Sequence, residues 1–206
     1  MSVKRNHIKV FVASTVYDFE YQLNQIYNLL DGYGYDVLMS HQGTILLDSQ
    51  QSNLENCLDG VKECDVFLGF IRPDYGSGVL DRGGLSITHQ EFHMAYSREI
   101  PRFVLADHRV AFTRMLFKDS FVVEDKTAKK IDFGQISFDG NKVMDTRCIR
   151  MYGEAIKDKE YPIAMRKGNW VQPYVSYDDI KLHIDAQFKY PERIQKLIDK
   201  SKAPGA

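Results

Sequence analysis

The sequence predicts an α/β domain built on a parallel β-sheet with helices on both faces. Strand-like and helix-like patterns alternate through residues 7–107, which is the order that produces parallel strands joined by crossover helices. The strand-like segments are short and almost continuously apolar, as expected of strands covered on both sides. We expect the strand order 2-1-3-4-5, which is common in flavodoxin-like folds.

The first helix lies between strands predicted at residues 7–14 and 35–40. Its apolar positions recur at helical spacing and are Phe19, Leu23, Ile26, Tyr27 and Leu30. Thr15 is a candidate N-cap, and Thr15 with Asp18 matches a capping box. The other core elements are a helix at 52–64, a strand at 65–71, a helix that begins near Ser86 and a strand at 101–106.

We treat the chain, 1–206, as a single domain with a core at 7–107 and a C-terminal elaboration at 108–206. The elaboration is predicted to contain a short helix at 108–117, a β-hairpin near 138–141, a strand at 169–176 and one or two helices at 177–202 that Pro191 interrupts. Pro173 assigns the strand to an edge of the sheet, because proline cannot donate a ladder hydrogen bond.

Composition excludes several classes of function. The net charge of −1 gives no bulk electrostatic basis for binding nucleic acid or an anionic membrane. No apolar run approaches the roughly 18 residues of a membrane span, and the N-terminus lacks the features of a signal peptide. Cys57, Cys64 and Cys148 are odd in number and show no CxxC spacing, so we expect reduced thiols in a cytoplasmic protein.

Topology predicts the location of a ligand site. In open α/β sheets, ligands bind outside the carboxyl ends of the strands, where the strand order reverses. The loops at 13–18 and 72–86 follow the first and third strands and would border that crevice. The residues that we expect to contact substrate are Ser14 and Thr15 in the first loop, and Arg72, Tyr75 and Gly76 in the second. The glycine-rich second loop does not match a P-loop and could equally be a mobile surface loop.

Glu91 is the strongest candidate for a reactive group. A helical wheel places it within an apolar arc formed by Ile87, Met94 and Ala95. An unpaired carboxylate is costly to bury, so it must be paired, protonated or exposed to a cleft. The alternatives are a surface position or a structural ion pair with an arginine, for which the candidates are Arg72, Arg82 and Arg98.

Metal chemistry is not expected. His89 and His93 are four residues apart, but a zincin helix requires the glutamate directly after the first histidine, and here Glu91 comes one residue later. No P-C-x-x-C follows to complete a zinc deaminase signature, and no G-x-S-x-G elbow indicates a serine hydrolase. We therefore predict satisfied or solvent-facing histidines and no metal.

Three segments together resemble a known family: VFVASTVYDFEYQLNQIYNLLDGYGYDVLMS, CDVFLGFIRPDYGS and LSITHQEFHMAYSREIPRFVL. They resemble bacterial TIR-like domains of the Toll/interleukin-1 receptor superfamily, and in particular a branch often described only as a domain of unknown function. The layout is also similar to that of nucleoside 2-deoxyribosyltransferases. The resemblance covers roughly residues 7–107.

The resemblance implies cleavage of an N-glycosidic bond. Glu91 matches the glutamate that faces the ribosyl carbon in these families, and Ser86 matches the serine that precedes it in many TIR domains. The implied substrate is NAD, with no separate cofactor, and the product is linear or a cyclic ADP-ribose-type signal. Bacterial anti-phage defence, a homo-oligomer and a partner defence protein are implied as the setting.

Two alternatives stay open. One is a nucleoside or nucleotide N-ribosidase or deoxyribosyltransferase, and the other is a non-catalytic module that binds nucleotide or assembles with itself. The sequence departs from the TIR pattern because Thr88, His89 and Gln90 occupy the region where a Trp-Cys pair usually precedes the glutamate. Fold alone does not settle activity, since many TIR domains are scaffolds.

Overall fold

The computed structural model describes residues 8–78, 84–120, 144–157, 163–165 and 170–202. Within these ranges, a parallel sheet has the predicted order β2-β1-β3-β4-β5. Its strands are β1 (Lys9–Ala13), β2 (Asp36–Leu38), β3 (Val66–Ile71), β4 (Arg102–Asp107) and β5 (Val171–Tyr174). Every residue of β3 is buried, which agrees with its apolar sequence. β5 occupies the edge, as Pro173 predicts.

Helices lie on both faces of the sheet. They are α1 (Glu20–Gly32), α2 (Asn53–Glu63), α3 (Ile87–Ser97), α4 (His108–Ser120), α5 (Arg147–Ala155), α6 (Tyr177–Phe188) and α7 (Pro191–Lys202). Pro191 begins α7, a position where its missing N–H is harmless. The segment 177–202 therefore contains two helices. The hairpin predicted near 138–141 lies outside the described residues. Helix α5 is not among the elements that the sequence predicts.

The two faces bury separate apolar clusters. Successive side chains of a strand point to opposite faces, so Val10 and Val12 join the cluster covered by α1, α6 and α7. Phe11 and Ala13 join the cluster covered by α2, α3, α4 and α5. The C-terminal helices therefore complete the same core as the first half of the chain.

The predicted start of α1 is wrong. The helix begins at Glu20, and its N-cap residue is Phe19, which makes no side-chain cap. Asp18 has a φ of 57°, a left-handed conformation that interrupts the helix before the proposed capping box of Thr15 and Asp18 could form. A capping box does exist at α2, where Ser52 and Glu55 cap each other's backbone N–H groups.

Helix α3 packs closely on the sheet because β3 contains a glycine at the contact. A Cβ atom at Gly69 would overlap the ring of Phe92 on α3. The close approach fixes the height of α3 above the sheet and thereby the position of Glu91, one residue before Phe92. Among the described residues, none of the helices is long and apolar enough to cross a membrane.

Candidate functional site

A cavity of about 650 Å³ opens at the carboxyl ends of β1 and β3, where the strand order reverses. Its walls come from the loops after β1, β2 and β3 and from the first turns of α2 and α3. Ligand pockets commonly have volumes of about 300–1,000 Å³. The cavity therefore lies in the predicted crevice and is large enough for a nucleoside or nucleotide.

Glu91 projects from α3 into the lining of this cavity, with only 4% of its surface exposed. The ion-pair alternative is not seen for two of its three arginines. Arg72 donates to the backbone carbonyls of the loop after β1, and Arg98 donates to those of Val61 and Cys64. The third, Arg82, lies outside the described residues. Within the part of the chain that is described, Glu91 forms no ion pair.

Burial raises the pKa of Glu91 from its ordinary value of 4.5 to about 7. A hydrogen bond from the thiol of Cys57, on α2, acts in the opposite direction and lowers that pKa. Burial and the nearby Glu91 carboxylate raise the pKa of Cys57 to about 12, so this cysteine stays a neutral thiol. Near neutral pH, Glu91 exchanges between acid and carboxylate forms.

Three predicted contact residues line the cavity together with Glu91: Ser14, Thr15 and Gly76. Thr15 is 6% exposed, and its hydroxyl has no hydrogen-bond partner among the described residues. Gly76 has a φ of 88°, and a Cβ atom there would lie 2.6 Å from the Thr15 methyl group. The loops after β1 and β3 thus touch at this point, and the hydroxyl of Thr15 is buried behind the cavity wall.

Arg72 is not part of the cavity lining, although we predict it as a substrate contact. Its guanidinium donates to the carbonyls of Thr15, Tyr17 and Asp18 and lies 4.6 Å from the ring centroid of Phe19. The side chain is almost fully buried. In this structure, Arg72 holds the loop after β1 in shape instead of reaching a ligand.

Tyr75 and Ser86 also lie outside the cavity lining. The Tyr75 hydroxyl is 2.5 Å from His89 Nδ1, and Ser86 is the N-cap of α3, where its Oγ accepts from the backbone N–H of His89 at 3.2 Å. Both residues therefore position α3. The Ser86 cap fits its place before the helix, but neither side chain contacts the cavity.

Several lining residues were not predicted from the sequence. They are Ser40, His41, Asn53, Asn56, Cys57, Asp74 and Thr88, with Tyr17 and Leu47 as exposed apolar residues at the rim. Asn56 also pins the loop after β2, since its side chain bonds both the N–H and the carbonyl of Asp48. Cys57 lies on an apolar stripe of α2 with Leu54, Leu58 and Val61, but only the packing of α2 beside α3 brings it to Glu91.

A second polar cluster lies on the other side of α3. His89 and His93 both contact Glu154 of α5, and among the described residues this is where three candidate metal ligands converge. It lies apart from the cavity, whose described lining includes none of the three.

Comparison with known families gives one match. Residues 9–146 match the family described as Domain of unknown function (DUF4062). The match spans well over half of the 206 residues and includes the strands β1 to β4 and Glu91. A comparison with curated proteins gives no match. Neither result bears on the resemblance to TIR domains and deoxyribosyltransferases, which stays a prediction. The chain belongs to the DUF4062 family.

Proposed function

We propose that this protein cleaves the nicotinamide–ribose bond of NAD, with Glu91 facing the ribosyl carbon. The observation that carries the proposal is the environment of Glu91. Its carboxyl group is buried, has a pKa of about 7 and lines a cavity at the reversal of strand order. A protein gains no stability from such a group, so its placement is better explained by chemistry.

The chemistry suits a carboxylate. When the C1′–N bond breaks, its electron pair leaves with nicotinamide, and positive charge develops on the ribose ring. The carboxylate form of Glu91 could stabilise that charge or form an ester bond to C1′. Water then attacks C1′, displaces the Glu91 carboxylate if the ester has formed, and releases a proton to solvent, giving ADP-ribose. If a nitrogen of the adenine attacks instead, the product is cyclic.

The cavity lining supports a nucleotide of this kind. Ser14 offers a hydroxyl group for a ribose or phosphate. Thr15 Oγ1 is buried and unpaired within the described residues, and a rotation of this side chain would bring it to the ligand. At the rim, Tyr17 is 78% exposed and Leu47 is 64% exposed. An exposed aromatic ring beside a polar cavity is suited to stacking on a base.

One observation favours a second candidate, cleavage of neutral nucleosides. Among the described residues, the cavity lining contains no lysine or arginine, whereas it does contain the carboxylates of Asp74 and Glu91. NAD carries two phosphates, which proteins usually bind with cations or backbone N–H groups. A ribosidase or deoxyribosyltransferase acting on uncharged nucleosides would not need cationic side chains in its binding site.

The setting that we propose follows from the resemblance to TIR-like domains. The protein would act in the cytoplasm, assemble with copies of itself, and serve a defence response through a partner protein. Its three cysteines are free and buried. The proposed chemistry itself requires a nucleotide substrate and water and no separate cofactor.

The experiment is an assay of base release. Purified protein at high concentration, which permits assembly, is incubated with NAD, nucleosides and deoxynucleosides, and the products are separated by HPLC. We expect release of nicotinamide from NAD. Mass spectrometry distinguishes ADP-ribose from a cyclic product, and preferential cleavage of nucleosides would favour the second candidate.

Glu91→Gln is the decisive variant, because it preserves shape while removing the carboxylate. We expect at least about a 100-fold loss of rate, the order found when a single group that stabilises a transition state is removed. Glu20→Gln, at an exposed glutamate on α1, is the matched control and should retain activity. Base release that survives in Glu91→Gln, or that is absent from the assembled wild-type protein on every substrate, contradicts the proposal.

A further inference from the structure

Three side chains converge between α3 and α5, on the side of α3 away from the cavity. Nε2 of His89 lies 2.7 Å from Oε2 of Glu154, and Nε2 of His93 lies 2.8 Å from the same oxygen. The three ligand atoms all lie within 4.8 Å of one another. His89 and His93 are four residues apart, so both rings project from one face of α3.

These donors have the chemistry of a transition-metal site. Imidazole nitrogen suits zinc, copper, iron and nickel, whereas magnesium and calcium prefer oxygen ligands throughout. Two histidines and one glutamate form a known zinc ligand set, with bonds of about 2.0–2.2 Å. Small rotations of His93 and Glu154, whose side chains are 41% and 31% exposed, would admit an ion in place of the two hydrogen bonds.

Neighbouring side chains orient two of the three proposed ligands, His89 and Glu154. The Tyr75 hydroxyl lies 2.5 Å from Nδ1 of His89. Because a tyrosine hydroxyl can accept as well as donate, it can hold the tautomer that leaves Nε2 free for a metal, as outer partners of metal-bound histidines do. Arg150 Nε lies 2.8 Å from Oε1 of Glu154, which leaves Oε2 directed at the histidines.

Exposure distinguishes the inner and outer sides of the cluster. The side chain of His89 is fully buried, whereas those of His93 and Glu154 are partly exposed. An ion could therefore enter from solvent, and water could fill the remaining coordination positions. Of the three residues, Glu154 alone lies beyond the segment that matches the family, since that segment ends at residue 146.

We propose that His89, His93 and Glu154 form a binding site for a zinc-class divalent metal ion that joins α3 to α5. The site is separate from the cavity and does not depend on the proposed glycosidase activity. Because His89 and His93 flank Glu91 on α3, a bound ion would fix the helix that carries the cavity carboxylate. The ion is a clamp between helices and takes no part in bond cleavage.

Metal titration of the full chain, free of any histidine tag and first dialysed against a chelator, tests the site. Zn²⁺ binding is measured by isothermal titration calorimetry, and Co²⁺ binding by visible absorption, which reports coordination geometry. We expect one ion per chain. His93→Ala and Glu154→Gln should each weaken binding by at least about 100-fold, and Tyr75→Phe by about 10-fold, at the lower end for outer partners.

His108→Ala is the matched control, since His108 is another half-exposed histidine that lies beside a carboxylate, Asp107. It should bind Zn²⁺ as the wild type does. Circular dichroism spectra of the apo variants establish that they are folded, which is expected because His93 and Glu154 are partly exposed. The proposal is overturned if the wild type binds no ion, or if either His93→Ala or Glu154→Gln binds as tightly as the wild type. The cluster would then be an ion pair between the helices.

Discussion

The thiol of Cys57 on α2 lies beside the carboxyl group of Glu91 on α3 and, as a potential hydrogen-bond donor, lowers the pKa of that carboxyl group. Both groups line the same cavity, where the other titratable side chains among the described residues are Tyr17, His41 and Asp74. Among the described residues, this contact is the one that favours the ionised form of Glu91, and it offsets only part of the effect of burial on the pKa of Glu91. The folded protein therefore carries an unfavourable charge whenever Glu91 is ionised.

The first prediction concerns stability and pH. The pKa of Glu91 is about 7 in the folded state and near 4.5 in an unfolded chain, so the folded state binds more protons between these values. Stability must then fall as pH rises through this interval. Glu91→Gln removes the charge. We expect stability similar to wild type at pH 5 and higher by about 3 kcal/mol at pH 8.5.

Urea denaturation at a series of pH values measures this difference, with a chelator present so that bound metal does not contribute. Glu20→Gln, which removes an exposed carboxylate, serves as the control and should show no gain that grows with pH. A Glu91→Gln variant that is no more stable than wild type at pH 8.5 would show that Glu91 is paired, as in the ion-pair alternative.

The second prediction concerns the hydrogen bond itself. Cys57→Ala removes the donor, so the carboxylate of Glu91 loses its stabilising contact and its pKa should rise further. We expect the fall in stability to begin near pH 4.5 as in the wild type but to continue to a pH that is higher by up to about one unit, the order for a weak hydrogen bond to a charged group. Cys57→Ser supplies a hydroxyl donor and should reverse the shift. Identical curves for all three proteins would exclude the bond.

The core of the fold follows from local sequence patterns. The continuous apolar run of β3 requires cover on both faces, and the alternation of strands with helices leads to the observed strand order. The position of Glu91 was also accessible, because the arc of Ile87, Met94 and Ala95 fixes which face of α3 is buried. Helical periodicity and sheet topology were therefore sufficient to predict that this carboxylate lies at the crevice.

Contacts between residues far apart in the chain could not be predicted from the sequence in the same way. Thr15 and Asp18 satisfy a local capping pattern, but Arg72 takes the backbone carbonyls of their loop, and the helix starts later. Glu154 lies 65 residues beyond His89, and α5 is a nine-residue helix with a short stripe at Cys148, Met151 and Ala155. No known motif spacing relates Glu154 to the two histidines, so only the packing of α5 against α3 reveals this cluster.

The third prediction separates the observed role of Arg72 from the one expected from the sequence. Its buried guanidinium satisfies the carbonyls of Thr15, Tyr17 and Asp18. Arg72→Ala leaves these acceptors without their donor, and we expect a loss of about 2–4 kcal/mol in the free energy of unfolding. Arg72→Lys should recover only part of it, because an ammonium group cannot reproduce the planar fork of a guanidinium.

Chemical denaturation measures these losses, and Arg193→Ala is the control. Arg193 is exposed, and its one side-chain hydrogen bond within the described ranges, at 3.4 Å, is to the carbonyl of Ala186, so its removal should cost less than about 0.5 kcal/mol. If Arg72 instead contacted substrate, its variants would keep wild-type stability and raise KM. A stability loss in both Arg72 variants, larger for alanine than for lysine, would establish that the residue anchors the loop that shapes the cavity.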